Sequence, residues 1–349
     1  MTRKVYIHAT NVHQGGGLAL LGPILKTIYK KAEFVLSLDE RMPIPDEASF
    51  IAKIKRVKPS ILHRFLAEKW LAANVTSDDL VLCFGNLPPL FKLCGRCIVF
   101  VQNRFLIDNV KLSGFSIRVR LQLTLERLWF ARRMSNVAEF IVQTPTMKML
   151  LEQKTLGKYP IRVLPFVSIS NGYVRSLMQL NSKKQPNHDF VYVASGEPHK
   201  NHRRLIDAWC LLADTGLFPS LCLTLDKDLF ETLWREIEMM SKRCHLNVNN
   251  MGNLSHKDIF ALYKDAGAAI YPSKFESFGL PLIEARQSGL PVLASELDYV
   301  RDVLDPEQTF DPDSPASIAR AVKRFMGINE KPLQLLDVAQ FVASFSETE

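Results

Sequence analysis

Residues 268–295 read AAIYPSKFESFGLPLIEARQSGLPVLAS, a succession of strand, loop, helix and strand. Residues 268–271 form a short apolar run of the kind that makes a buried parallel strand, and Pro272, which cannot donate to a ladder, stops it. A loop follows over 273–280. Pro281 suits the first position of a helix and Gly289 suits the left-handed residue just past the last turn, so 281–288 reads as a helix of about two turns. Residues 291–294 are the next strand. In open parallel sheets, ligands sit beyond the carboxyl ends of the strands, which is where this loop lies.

Glu276 falls in the loop and Glu284 in the middle of the short helix. The amides around Gly279 and Leu280, and those of the first helical turn, have no intrahelical partner and point where a phosphate would be held. A carboxylate on that helix, such as Glu284, can accept two hydrogen bonds from the vicinal hydroxyls of a ribose, which leaves Glu276 facing whatever the phosphate carries. Spacing alone is equally compatible with two solvated glutamates. The frame FESFGLPLIEARQSGLPVLAS resembles the signature of the retaining family-4 glycosyltransferases of the GT-B fold. That resemblance implies that Glu284 binds the nucleotide ribose, that Glu276 lies beside the donor sugar, and that Phe278, Gly279 and Leu280 lie near the sugar and diphosphate.

A chain of 349 residues is comfortable for two domains, and its 47% hydrophobic content is that of an ordinary globular protein. The net charge of +8 implies attraction to something anionic: a nucleotide, a nucleic acid or an acidic lipid surface. Residues 5–9 are too short for the hydrophobic region of a signal peptide, and no run approaches the ~18–20 apolar residues that span a bilayer. The expectation is a cytoplasmic protein, with peripheral contact to the inner face of an anionic plasma membrane left open. The six cysteines sit mostly among apolar neighbours and read as reduced packing residues. Cys94 and Cys97 form a C-x-x-C, but no second pair completes a zinc site, so no metal is expected.

In the first half, 5–10 reads as a strand and 11–17 (NVHQGGG) as a loop leading into a helix over 18–31. Three consecutive glycines let backbone amides approach an anion, although a plain flexible turn reads the same way. G-x-G-x-x-G is absent, which argues against a nicotinamide cofactor. The resemblance places Gly16 and Gly17 opposite the donor diphosphate, and His13 or Gln14 would reach the acceptor or the donor. Residues 34–38, 80–84, 98–101, 140–143 and 162–165 read as strands, and 59–73 as a helix. The strand ends carrying Asn86 and then Gln102, Asn103 and Arg104 are expected to line an acceptor pocket. Family members often carry a histidine near this point, and this chain has none there, so an acid–base residue in the first half stays unassigned. Residues 116–134 (SIRVRLQLTLERLWFARRM) interleave arginines with leucines. A helix packed on the core with a solvated basic side is the favoured reading, and one lying on an anionic membrane face is the other.

Turn-forming residues between 166 and 188 mark a domain boundary. Residues 189–194 open the second half as a strand, and SGEPHKN (195–201) leads into a helix from 202 to 213. Lys200 sits where an ammonium would neutralise a departing diphosphate beside a helix end. EPHKN resembles the E-P-R-K-N variant of the family's phosphate loop, which assigns Lys200 and Asn201 to the donor. The arginine of the commoner form is Ser195 here. Residues 247–252 and the helix 256–266 resemble the family's base-pocket unit, with Leu254 and Ser255 expected to contact the base through their backbone. Ser314 caps a helix carrying Ile318, Val322 and Phe325 on one face.

The expected fold is therefore α/β of the GT-B type, two Rossmann-like domains with parallel sheets facing a central cleft. Residues 1–170 would bind the acceptor, 186–330 the nucleotide-sugar donor, and 331–349 would form a helix packing back on the first domain. The resemblance implies transfer of a hexosyl group with retention, catalysed by Lys200 and Glu276, with a nucleotide sugar as substrate and no cofactor. Glu276 sits off the reacting face in that family, so substitution on one face, assisted by the leaving phosphate, fits better than a carboxylate nucleophile. The acceptor that the resemblance implies is a saccharide or lipid-linked oligosaccharide of the O-antigen kind. A basic nucleic-acid-binding protein or a non-catalytic nucleotide-sugar binder is the reading from another class. Nucleic acid is not expected as a partner, because the charges are spread rather than gathered on one face.

Overall fold

The computed structural model describes residues 3–28, 34–44, 53–110, 112, 115–166 and 186–328. Seven strands make the first sheet: β1 (Val5–Ala9), β2 (Phe34–Asp39), β3 (Ile54–Val57), β4 (Leu80–Cys83), β5 (Arg96–Phe100), β6 (Glu139–Val142) and β7 (Ile161–Val163). They lie in the order β3-β2-β1-β4-β5-β6-β7, and every pair is parallel. Six strands make the second: β8 (His188–Tyr192), β9 (Leu221–Leu223), β10 (Val248–Asn250), β11 (Ala266–Tyr271), β12 (Val292–Ser295) and β13 (Gln308–Phe310). Their order, β10-β9-β8-β11-β12-β13, is also parallel throughout. Both are doubly wound sheets of the Rossmann kind. Strand order reverses between β1 and β4 in the first and between β8 and β11 in the second, and each reversal opens a crevice at the carboxyl ends of the strands.

Alternation along the strands divides the first core into two layers. Ile7 and Ala9 of β1 join Leu20, Leu21 and Leu25 of α1 (Gly15–Ile28) on one face. Tyr6 points to the other face, where Leu71 of α2 (Ile61–Asn74), Leu123 and Phe130 of α3 (Ile117–Arg133), and Met147 and Leu151 of α4 (Pro145–Thr155) cover the sheet. The second sheet is packed by α5 (His202–Asp214), α6 (Glu231–Arg243), α7 (His256–Lys264), α8 (Leu280–Gln287), α9 (Asp298–Arg301) and α10 (Pro315–Phe325). Ser314 caps α10 by accepting from the Ser317 amide, and Ile318 and Val322 are fully buried beneath it.

Several expectations shift. The glycines do not form a loop before the helix, because α1 begins at Gly15, which itself has φ +63°. Without a Cβ, Gly16 and Gly17 enter the first turn at close quarters, a Cβ at Gly17 falling 3.2 Å from Val12. Strands β3 and β13, reading IKRV and QTF, lack the apolar run that marks a buried strand. Helix α3 packs on the core through Leu123 and Phe130 with Arg118, Arg120, Arg132 and Arg133 in solvent, in keeping with the favoured reading, but Ile117, Leu121, Leu125 and Leu128 are exposed as well. The stretch 167–185 within the expected boundary, and the expected helix over 331–349, lie outside the described residues.

Trp209 anchors the second core: it is 1% exposed, meets Phe190 edge-on at 5.6 Å, and donates its indole N–H to Pro219 O at 2.9 Å. Trp209→Ala should lower stability by about 3–5 kcal/mol. Urea unfolding followed by circular dichroism would read this as a clear drop in midpoint; an unchanged midpoint would mean the indole carries no such packing.

Candidate active site

The two crevices at the strand-order reversals open onto one cleft of about 1420 Å³, lined by residues of both halves. From the first half come Gly16 and Gly17 at the start of α1, Asn86 after β4, Gln102, Asn103 and Arg104 after β5, and Gln143 after β6. From the second come Lys200 after β8, Glu276 after β11, and Phe278, Gly279, Leu280 and Glu284 at and in α8. The amino-terminal turns of α1 and α8 meet here, since a Cβ built on Gly16 would lie 3.4 Å from Leu280 Cδ1. Gly279 holds φ +70° as the residue before α8 and offers no side-chain cap. Pro281 has no N–H and the Leu282 amide donates to Gly279 O at 2.9 Å, which leaves the Gly279 and Leu280 amides at the cleft wall.

Lys200 and Glu276 form the centre of the second wall. Lys200 Nζ donates to Glu276 Oε1 at 2.6 Å, and the same oxygen accepts from Ser273 Oγ at 2.7 Å and from Tyr271 OH at 3.0 Å. Only 14% of the lysine and 13% of the glutamate side chain reach solvent. Burial pushes the Glu276 carboxyl up, but Lys200, His199 and the Ser273 hydroxyl outweigh it and hold the carboxyl below its ordinary value. The flanking loops are laced together: Tyr192 OH donates to Lys200 O at 2.6 Å, Lys274 N to His199 O at 2.8 Å, and Tyr299 OH to Ser273 O at 2.8 Å. Burial, then the Lys200 charge, lowers the pKa of both His199 and His202, and His202 falls to about 3. His202 is therefore neutral at pH 7 and adds no charge to the cation beside it.

Glu284 extends the cleft toward α7. Its Oε1 lies 3.1 Å from His256 Nε2, and that hydrogen bond raises the histidine's pKa above its ordinary value. Leu254 lines the same end of the cleft, just before Ser255 caps α7.

On the opposite wall, Asn86 holds φ +70° and its Oδ1 accepts from the Gln102 and Asn103 amides at 2.6 and 2.9 Å. Gln102 donates its side-chain amide to Phe84 O at 3.2 Å, and Asn103 Oδ1 caps the turn Arg104–Leu106. Arg104 crosses between the halves. Its guanidinium stacks 4.5 Å over the Phe275 ring, donates to Asp108 at 2.9 Å and reaches Glu276 O at 3.4 Å. Phe105 meets Phe275 at 4.4 Å and His199 at 5.4 Å, and the Thr146 amide donates to Asp302 across the same boundary. A second cation therefore stands beside Glu276, although Ser195 occupies the place of the family's arginine.

Two expected site residues lie elsewhere. Asn201 is 7% exposed, and its amide donates to Pro272 O and Pro312 O. Its side chain straps loops together instead of facing the cleft. His13 lies outside the cleft lining. Sequence reasoning missed Tyr271 and Ser273, which grip Glu276, and His256, which holds Glu284. It also missed Gln143, which is 4% exposed and lines the cleft with an unpartnered Nε2. Tyr271 and Gln143 stand at the ends of strands, a position that could have flagged them. His256 carries no local signal. Among the described residues, no three His, Cys, Asp or Glu side chains are grouped to hold a metal ion.

The fold and the cleft define a GT-B protein. Residues 176–339, in the second half of the chain, match the family model described as Glycosyl transferases group 1. This half is similar to the serotype-specific mannosyltransferase WbdA of Escherichia coli, 29% identical over 152 residues, which are 41% of this chain and 18% of WbdA. It is also similar to the O-antigen chain mannosyltransferase B of Escherichia coli, 30% identical over 132 residues, which are 37% of this chain and 34% of that protein. The chain thus spans well under half the length of these relatives. The structure of Anabaena HepE in complex with UDP and glucose superposes with a TM-score of 0.61 at 15% identity, covering 93% of this chain and 90% of that one.

The pair Lys200–Glu276 gives a pH prediction. The Glu276 carboxyl titrates below its ordinary value, so its contribution to stability is complete above the unfolded pKa of about 4.3 and is lost as pH falls through the lowered folded value. The melting temperature of the wild-type protein should exceed that of Glu276→Gln at pH 7, with the difference closing as pH falls below about 4.3. A difference independent of pH would mean the carboxylate is not held by the lysine.

Proposed function

We propose that the protein is a retaining glycosyltransferase moving a hexosyl group from a nucleotide sugar to a saccharide acceptor, a lipid-linked oligosaccharide of surface-polysaccharide synthesis. The observation that carries this reading is the convergence of two helix starts, α1 and α8, with Lys200, Glu276 and Glu284 on one cleft. Helix ends of this kind hold anions, and a diphosphate seated between them puts the ribose at Glu284 and the hexose at Glu276. Mannose is the favoured hexose, because the relatives named above are mannosyltransferases. The same relatives favour an enzyme over a nucleic-acid-binding protein.

The chemistry follows from where charge develops. As the bond from the hexose C1 to the diphosphate breaks, negative charge gathers on the leaving oxygens. The ammonium of Lys200 and the amides of Gly279 and Leu280 stabilise it there. An ammonium has three protons, so Lys200 can keep its bond to Glu276 while donating to phosphate. Glu276 is a weak nucleophile, since one of its oxygens already accepts three hydrogen bonds and its carboxyl is held below the ordinary value. Retention then comes from attack on the face the diphosphate leaves. The acceptor oxygen bonds to C1 as its proton passes to the departing phosphate oxygen. No added cofactor enters this scheme.

A thermal-shift panel of nucleoside diphosphates should reveal one that raises the melting temperature, since a ligand stabilises the state it binds. Glu284→Ala should weaken binding of the matching nucleotide sugar about tenfold or more, the usual cost of losing hydrogen bonds to a charged group. Lys200→Ala should lower kcat by about 100-fold or more with a smaller effect on KM. No shift with any nucleotide, or normal kinetics in both variants, would contradict the assignment.

A further inference from the structure

Helix α3 carries apolar side chains on two opposite sides. Leu123 and Phe130 face the sheet and are 7% and 0% exposed. Ile117, Leu121, Leu125 and Leu128 recur at intervals of four, four and three, which makes one stripe on the side away from the sheet, and they are 82%, 61%, 58% and 46% exposed. Arg118, Arg120, Arg132 and Arg133 are exposed on the same helix, whose one acidic residue is Glu126. Helix α2 repeats the design in its first two turns, where Ile61, Leu62, Phe65 and Leu66 are 90%, 64%, 44% and 49% exposed. Lys58 and Lys69 are exposed beside them, and the helix's one acid, Glu68, is buried.

The two helices share one layer and one loop. Both cover the face of the sheet that holds Leu71, Leu123 and Phe130. The loop between β4 and β5 joins them: the Leu90 amide donates to Glu68, Phe65 meets Phe91 at 5.6 Å, and Trp129 donates to Pro88 O. Arg127 of α3 donates to Phe105 O and Asp108 O, which fastens the helix to the turn bearing Arg104 on the cleft wall. Eight large apolar side chains in water on two neighbouring helices exceed the scattered singles of an ordinary surface. An apolar stripe flanked by arginines and lysines matches a surface with acyl chains beneath and negative headgroups above.

We infer that the exposed faces of α2 and α3 form a docking surface for an anionic lipid bilayer, with the apolar stripe entering the headgroup boundary and the arginines engaging lipid phosphates. No helix among the described residues is long and apolar enough to cross a membrane, so contact of this kind is peripheral. The surface adjoins the wall bearing Gln102, Asn103 and Arg104, which would bring the cleft close to a lipid-borne acceptor. The docking itself stands on the exposed side chains and does not require the proposed reaction.

Co-sedimentation of the full chain with vesicles tests it. Vesicles of mixed phosphatidylglycerol and phosphatidylcholine should bind the wild-type protein, and phosphatidylcholine alone should bind it at least several-fold less. The variant Leu121→Glu/Leu125→Glu should lose that binding. The variant Arg118→Ser/Arg132→Ser should weaken it severalfold and flatten its dependence on salt. Because these side chains are exposed, both variants should keep the wild-type circular dichroism and melting temperature. Equal sedimentation of the wild type and both variants, or no binding to anionic vesicles, would overturn the inference. So would light scattering that shows a wild-type dimer turned into a monomer by Leu121→Glu/Leu125→Glu without any binding to vesicles, since the face would then belong to a second copy of the chain.

Discussion

The cleft depends on one ion pair, Lys200 with Glu276, joining two loops 76 residues apart. Each loop follows a strand flanking the reversal of the second sheet, β8 for the lysine and β11 for the glutamate. Neither charge would be tolerated at this depth alone, because an unpaired charge removed from water costs several kcal/mol. Together, and with Ser273 and Tyr271 completing the shell of the carboxylate, they fix both loops against the sheet. In the reaction proposed above, the same pairing would hold the lysine beside the departing diphosphate.

Around that pair the field of the cleft is built from backbone. Two helices of different domains direct their amino-terminal turns at the same space, and both use glycine there so that no side chain intervenes. Helix ends contribute partial positive charge that costs no reorganisation when an anion arrives. Arg104 and the ring contacts of Phe105 with Phe275 and His199 hold the two walls in register. Glu284 of α8 lines the same cleft and is already engaged by His256.

The sequence was most legible where chemistry and local structure coincide. Residues 268–295 announce a strand, a loop, a helix starting at proline and a glycine stop, and the structure has β11, α8, Gly289 at φ +77° and β12 in that order. Long-range pairing was not legible. Asn201 belongs to a recognisable phosphate-loop pattern, yet its amide is used on carbonyls 71 and 111 residues away. His256 reaches Glu284 across 28 residues, and Arg104 reaches the Glu276 carbonyl across 172, distances over which no periodicity carries information. The exposed stripe of helix α3 was not legible for another reason. Its leucines satisfy a helical period on two sides at once, and period alone does not say which side the sheet takes. Strand β3 was invisible because an outer strand needs little apolar content.

The most direct measurement is a crystal structure of the protein with a stabilising nucleoside diphosphate. If the two helix ends and the lysine grip the leaving group, phosphate oxygens will lie within about 3 Å of the Gly279 or Leu280 amides and of Lys200 Nζ, with the ribose hydroxyls on Glu284. A nucleotide lying elsewhere in the cleft, with Lys200 bonded to Glu276 alone and the α8 amides facing only solvent, would contradict it.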